Sequence, residues 1–225
     1  MVIRGGDRIG WGYQCARIYI PSTPNSDEVK EAAAGALGNL ALNTDNQVTI
    51  AQAGAVAHLV ALVSGGGTDG VQEAATGALR NLALNADNQV AIAQAGAISP
   101  LVVLMSWGGA DEVKLAATGA LRNLALNADN QVTIAQAGAI THLVALLSGD
   151  GTDVVKEAAT GALQNLALNA DNQVAIAQAG AITHLVALLS GDGTDVVKEA
   201  AAGAPRNLSV AHRCTYRRAT KRERD

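Results

Sequence analysis

The side chains best suited to chemistry in this chain are amides, and they keep a fixed beat. An asparagine closes the motif GALxN or its variant GAPRN at Asn39, Asn81, Asn123, Asn165 and Asn207, each 42 residues after the last. A carboxamide donates and accepts at once, so it can grip a peptide group of either polarity. Packed helices lie about 8–10 Å apart, and an extended chain rises about 3.3 Å per residue. Asparagines on neighbouring helices would therefore meet an extended backbone about every two or three residues. The residues leave a second reading open, in which each amide only satisfies a loop or helix-end backbone group.

Helical counting back from Asn165 puts Gln164, Gly161, Ala158, Glu157 and Val154 on the same side. The matching positions are Arg80 and Glu73 in one copy, Arg122 and Leu115 in the next. The candidate site is thus Asn39, Asn81, Asn123 and Asn165, with Arg80, Arg122, Gln164, Glu73 and Glu157 beside them. Charges spaced this way could select polar side chains on a ligand, although surface charges are commonly just solvated. The histidines offer less. His58, His142 and His184 occupy one repeat position, where the remaining copy has Pro100. Equivalent atoms in successive copies lie a helix diameter or more apart, while Zn–N bonds are about 2.0–2.1 Å, so these residues cannot share a metal. No Ser-His-Asp set or phosphate loop is present, and GGGTDG and GDGTDV read as loops between helices. Neither an enzymatic activity nor a cofactor nor a metal is expected.

The elements that must position these side chains follow from the repeat. Aromatic residues make up only 2% of the chain and Phe is absent, so the interior is built from small and aliphatic side chains. That suits helices in close contact and suits a sheet sandwich poorly. Four modules fill 43–84, 85–126, 127–168 and 169–210, preceded by an orphan third segment at 27–42. A fixed period of this size is the mark of a solenoid, because one module cannot bury its own apolar face.

Within 127–168, NADNQVTIAQAG predicts a short helix capped by Asp129 and ended by Gly138. AITHLVALLSGDG predicts a second helix, with Thr141 as N-cap and Leu143, Val144, Leu146 and Leu147 on a wide apolar face. That width predicts the most buried helix of the three. TDVVKEAATGALQNLALN predicts a third helix of about four turns, starting at Thr152 or Asp153, whose buried stripe is Val155, Ala159, Leu163 and Leu166.

Charge is divided unevenly. Residues 27–211 carry 7 Lys or Arg against 17 Asp or Glu, whereas 212–225 carry 6 against 2. An acidic body argues against nucleic-acid binding by the repeats, which would need cations against phosphates. The basic end reads as a solvated, disordered tail. Cys15 and Cys214 both lie outside the repeats, so neither a disulfide framework nor a metal cluster is expected. No signal peptide or transmembrane segment is expected either. The uncharged stretch between Asp87 and Asp111 holds Asn88, Gln89, Gln94 and Pro100, and it reads as a buried helix pair. A cytoplasmic location is expected, or a nuclear one through the basic tail.

Together NQVAIAQAGAI, LVALLS, DEVKEAA and GALRNLA resemble the armadillo repeat over about four-fifths of the chain. LRNLALNADN also resembles a leucine-rich pattern, but that unit runs to about 20–29 residues and needs a strand in each copy. The armadillo resemblance implies an all-α, right-handed α-solenoid of three-helix repeats. Its third helices line the concave face, and an Asn on each points into the groove and holds the backbone of an extended peptide. The matching positions are Asn39, Asn81, Asn123 and Asn165. One departure stands out. Nuclear-import adaptors carry Trp four residues before the Asn, and this chain has Gly35, Gly77, Gly119, Gly161 and Gly203 there. Cation–π capture of a basic signal is therefore ruled out. GALRNL is closer to the third helix of catenin–plakophilin relatives and of the fungal vacuolar armadillo adaptors. A mid-helix Gly costs about 1 kcal/mol against Ala, so a close approach should compensate.

The expected function is a protein- or peptide-binding scaffold with an unidentified partner. The rival expectation is a structural spacer, or a fragment of a longer array with no ligand. The flanks 1–26 and 211–225 should lie outside the solenoid, and Trp107 should be a surface loop residue. Pro205 stands where other copies have Leu37, Leu79, Leu121 and Leu163, and a proline in a helix interior costs about 3 kcal/mol or more. The last helix should therefore break near Gly203 and uncover an apolar face suited to end-to-end self-association.

Overall fold

The computed structural model describes residues 26–106, 110–149, 152–190 and Lys198. The expectations for both flanks, Trp107, Gly203, Pro205 and Asn207 fall outside the described residues. Among the described residues there are twelve α-helices and no strand. An isolated third helix comes first, α1 (Asp27–Leu40). The first module is α2 (Thr44–Gln52), α3 (Ala55–Ser64) and α4 (Asp69–Leu82). The second is α5 (Ala86–Gln94), α6 (Ile98–Ser106) and α7 (Asp111–Leu124). The third is α8 (Ala128–Gln136), α9 (Ala139–Ser148) and α10 (Asp153–Leu166). Then come α11 (Ala170–Gln178) and α12 (Ala181–Ser190).

Local chemistry explains the breaks. Asn127, not Asp129, caps α8: its backbone is extended and its Oδ1 accepts from the N–H groups of Asp129 and Asn130 at 3.0 and 3.1 Å. Asp129 sits instead in the first turn, where its charge suits the helix dipole. Gly138 adopts φ +82° and so ends α8 and opens α9 at once. Thr141 is therefore inside α9 rather than its cap. The two helices meet at 79°. No single described helix is long and apolar enough to cross a membrane, and α5 and α6, within the uncharged stretch, meet at 85°.

Packing makes one continuous core from Ala34 to Leu185. The third helices α1, α4, α7 and α10 stack side by side, and α4, α7 and α10 each also pack on the second helix of their own module. Val155, Ala159, Leu163 and Leu166 are buried as the stripe requires. In α9 the buried set is Ala139, Ile140, Leu143, Val144 and Leu147, with Leu146 only half-buried. The third helix, not the second, is the more enclosed: α10 buries eight of its 14 residues and α9 five of its 10. The reason is that α10 carries a run of small residues, Ala158, Ala159, Thr160, Gly161 and Ala162, that lets it pack closely on α7 and α9 and buries every one of them.

Candidate functional site

The beat of 42 residues brings the candidate side chains onto the row of third helices. Asn81, Asn123 and Asn165 each sit one residue before the end of their helix. Each amide has a partner, and it lies on the preceding module. Nδ2 of Asn81 donates to the Gly38 carbonyl at 2.9 Å, Asn123 to that of Arg80 at 2.9 Å, and Asn165 to that of Arg122 at 2.8 Å.

These carbonyls are helix-end orphans. After α4, the N–H groups of Ala83, Leu84 and Asn85 go to Leu79, Asn81 and Leu82. None is left for the Arg80 carbonyl, and the Asn123 amide fills that gap. The helix-end role that the sequence left open is thus present at three positions. It uses one N–H of each amide and leaves the other N–H and Oδ1 for further bonds. Asn39 has no such partner among the described residues, because no described third helix precedes α1.

The arginines and glycines of the motif interlock. A Cβ placed on Gly119 would lie 2.7 Å from Cδ of Arg80, and one on Gly161 would lie 2.7 Å from Nε and 3.0 Å from Cδ of Arg122. The stem of Arg80, and the Cδ and guanidinium edge of Arg122, therefore lie across the glycine of the following module, and this is the close approach that the mid-helix glycines suggested. Gly77 faces α1, which has Gly38 in the arginine position, and a Cβ there would meet nothing within 4 Å. Gly77→Ala should accordingly gain about 1 kcal/mol of helix propensity and raise the melting temperature by about 2–4 °C. Gly119→Ala should gain clearly less, because the new methyl must displace Arg80. Thermal melts of the two variants side by side check the difference, and equal gains would contradict this packing.

Two hollows open on this side of the solenoid. One, of about 530 Å³, lies between α1 and α4 and is lined by Glu28, Glu31, Asn39, Glu73, Arg80 and Asn81, among others. The other, of about 290 Å³, spans α4, α7 and α10 and takes in Arg80, Asn81, Leu115, Arg122, Asn123, Val154 and Glu157. Gln164 is half-buried at the position that Arg80 and Arg122 hold in their copies, beside Asn165. The guanidinium groups of Arg80 and Arg122 make no hydrogen bond or ion pair with the described residues. His58 and His142 are exposed on α3 and α9, and His184 is half-buried on α12.

A second amide ladder went unnoticed in the sequence. Asn88, Asn130 and Asn172 on the first helices are buried. Asn130 Nδ2 lies 3.1 Å from the Gln89 carbonyl of the preceding module and 3.2 Å from the Leu124 carbonyl, and Asn88 and Asn172 repeat the pair. Gln89, Gln131 and Gln173 add a bond to Ala83, Ala125 and Ala167. The available signal was the strict recurrence of DNQ, which reads locally as a helix start.

Comparison with known proteins agrees with this architecture. The sequence model of the family described as Armadillo/beta-catenin-like repeat matches residues 43–84, 85–126, 127–168 and 169–210. The chain belongs to the armadillo-repeat family, and its fold is the armadillo α-solenoid. No curated protein matches it. Similar solved structures include engineered proteins. One engineered protein is 33% identical with a TM-score of 0.77, over 83% of this chain and 77% of that one. A designed armadillo repeat protein is 30% identical with a TM-score of 0.76, over 83% and 78%. Another, solved in complex with the peptide (KR)4, is 30% identical with a TM-score of 0.74, over 81% and 77%.

Proposed function

We propose that this chain is a non-catalytic scaffold that holds an extended peptide along its row of third helices. The carrying observation is the state of Arg80 and Arg122. The stem of Arg80 is laid over Gly119, and Cδ and the near edge of the Arg122 guanidinium over Gly161, while neither guanidinium has a hydrogen-bond or ion-pair partner among the described residues. A guanidinium held in place but unpaired is preorganised for a carboxylate or carbonyl. Beside each lies an amide, Asn81 or Asn123, with Oδ1 and one N–H still to offer a peptide backbone. The designed neighbour that carries (KR)4 supports an extended peptide as the kind of ligand. Here the charges differ along the row. The hollow at α1 sets Glu28, Glu31 and Glu73 against Arg80, and the next sets Arg80 and Arg122 against Glu157. The favoured ligand is thus a peptide with a basic segment against α1 and α4 and an acidic residue against α7.

Display of a random peptide library on the full chain tests this reading. Selected peptides should show the basic-then-acidic pattern, and Arg80→Ala with Arg122→Ala should weaken them at least about tenfold, the usual scale for a charge-assisted contact. The arginine pair is preferable to the asparagines as a probe, because Asn→Ala also strips a helix end of its partner. Enrichment of no peptide, or binding indifferent to both arginines, would favour a structural spacer.

A further inference from the structure

The two hollows draw on equivalent repeat positions, yet their chemistry differs. The fifth residue of each third helix is Glu31, Glu73, Leu115 and Glu157, so α7 alone among the described third helices carries no carboxylate there. Helix propensity does not account for the change, because Glu and Leu are similarly good helix formers. Core packing does not demand it either. Leu115 is only half-buried, at a position that the other three copies fill with a charge.

The neighbours of this position show what the change does. Between α1 and α4 the Glu31 carboxyl group lies across Gly70, since a Cβ placed on Gly70 would be 2.7 Å from its Cδ. Between α7 and α10 the same two positions hold Leu115 and Val154, an apolar pair. Both line the second hollow, beside Arg80 and Arg122. There two guanidinium groups share one carboxylate, Glu157, and no ion pair joins it to either. A glutamate at position 115 would balance the cations. Leucine leaves them unbalanced and sets an apolar surface next to them.

We infer that Leu115 is the specificity-determining residue of this hollow. The inference rests on the peptide-binding reading above and deepens it. The ligand carries an apolar side chain for Leu115 and Val154, within two residues of the carboxylate that Arg80 and Arg122 receive. In an extended peptide, residues i and i+2 point to the same side about 7 Å apart, so one short stretch supplies both groups. Covering half-exposed apolar surface favours binding, and a guanidinium at the edge of such a surface attracts a carboxylate more strongly than in open water. A basic side chain is rejected here, because it meets two cations and an apolar seat. The first hollow, with Glu31 in that place, accepts one.

Peptides selected from a random library by the full chain, by Leu115→Glu and by Leu115→Ala test the assignment. Glu73 and Glu157 already fill the position in other copies, so Leu115→Glu should keep the wild-type helical spectrum and melting temperature. Wild-type peptides should carry an apolar residue within two positions of their acidic one. Leu115→Glu should bind them at least about tenfold more weakly and should select a basic residue in place of the acidic one. Leu115→Ala should weaken the same peptides only a few-fold and keep the acidic residue, which separates lost contact from added charge. Wild-type peptides without the apolar residue, or peptides that Leu115→Glu binds as tightly, would overturn this assignment and leave the scaffold reading standing. Enrichment of no peptide by any of the three chains would overturn both.

Discussion

Asn130→Ala should cost the solenoid about 3 kcal/mol, whereas Asn123→Ala should cost about 1 kcal/mol or less. Both remove a carboxamide that bridges neighbouring modules, so sequence alone would rank them together. The difference lies in water. Asn130 is 4% exposed and its Nδ2 serves two carbonyls, Gln89 across the module boundary and Leu124 within its own. Alanine removes both bonds and leaves a polar-lined gap that solvent reaches poorly. Asn123 is only half-buried, and water can take its place on the Arg80 carbonyl. The Gln89 contact ties α8 to α5, so its loss also weakens the coupling between modules on which a linear array depends. Urea unfolding of Asn130→Ala should therefore show a lower midpoint and a broader transition. Equal losses for the two variants would show that burial does not separate the ladders.

Leu147→Ala should cost about 3 kcal/mol, within the usual range for truncating an enclosed leucine. Leu189→Ala should cost about 1 kcal/mol or less, because most of the apolar surface it loses is already wet. The two leucines close identical ten-residue helices, so every local propensity is the same at both sites. Only the neighbours differ: Leu147 is 5% exposed and Leu189 is 41% exposed. Chemical denaturation of the two variants isolates that difference. A loss at Leu189 as large as at Leu147 would mean that α12 is enclosed in solution.

Much of the fold was legible because its signals are local. The period follows from direct repetition, Gly138 marks a helix break because only glycine accepts φ +82° readily, and the stripe Val155, Ala159, Leu163 and Leu166 follows from helical spacing. The candidate side chains too were found by spacing, and Arg80, Arg122, Asn81 and Asn123 do gather along the third helices. Where local rules compete, the reading slipped by a residue or two. Asn127 and Asp129 are both good caps, and only the extended backbone at Asn127 decided between them.

What the tertiary structure alone decided is where each repeated side chain ends up. The carbonyl that Asn123 meets belongs to Arg80, 43 positions back, and the surface that Arg122 covers belongs to Gly161 of the next module. Such pairings depend on the rise and rotation from one module to the next. No cap, turn or propensity encodes that step, because those signals act within about one helical turn. The same limit explains why AITHLVALLS is core in α9 and half-exposed in α12. A repeat sequence determines what each module wants to bury, and the stack determines which copies are able to bury it.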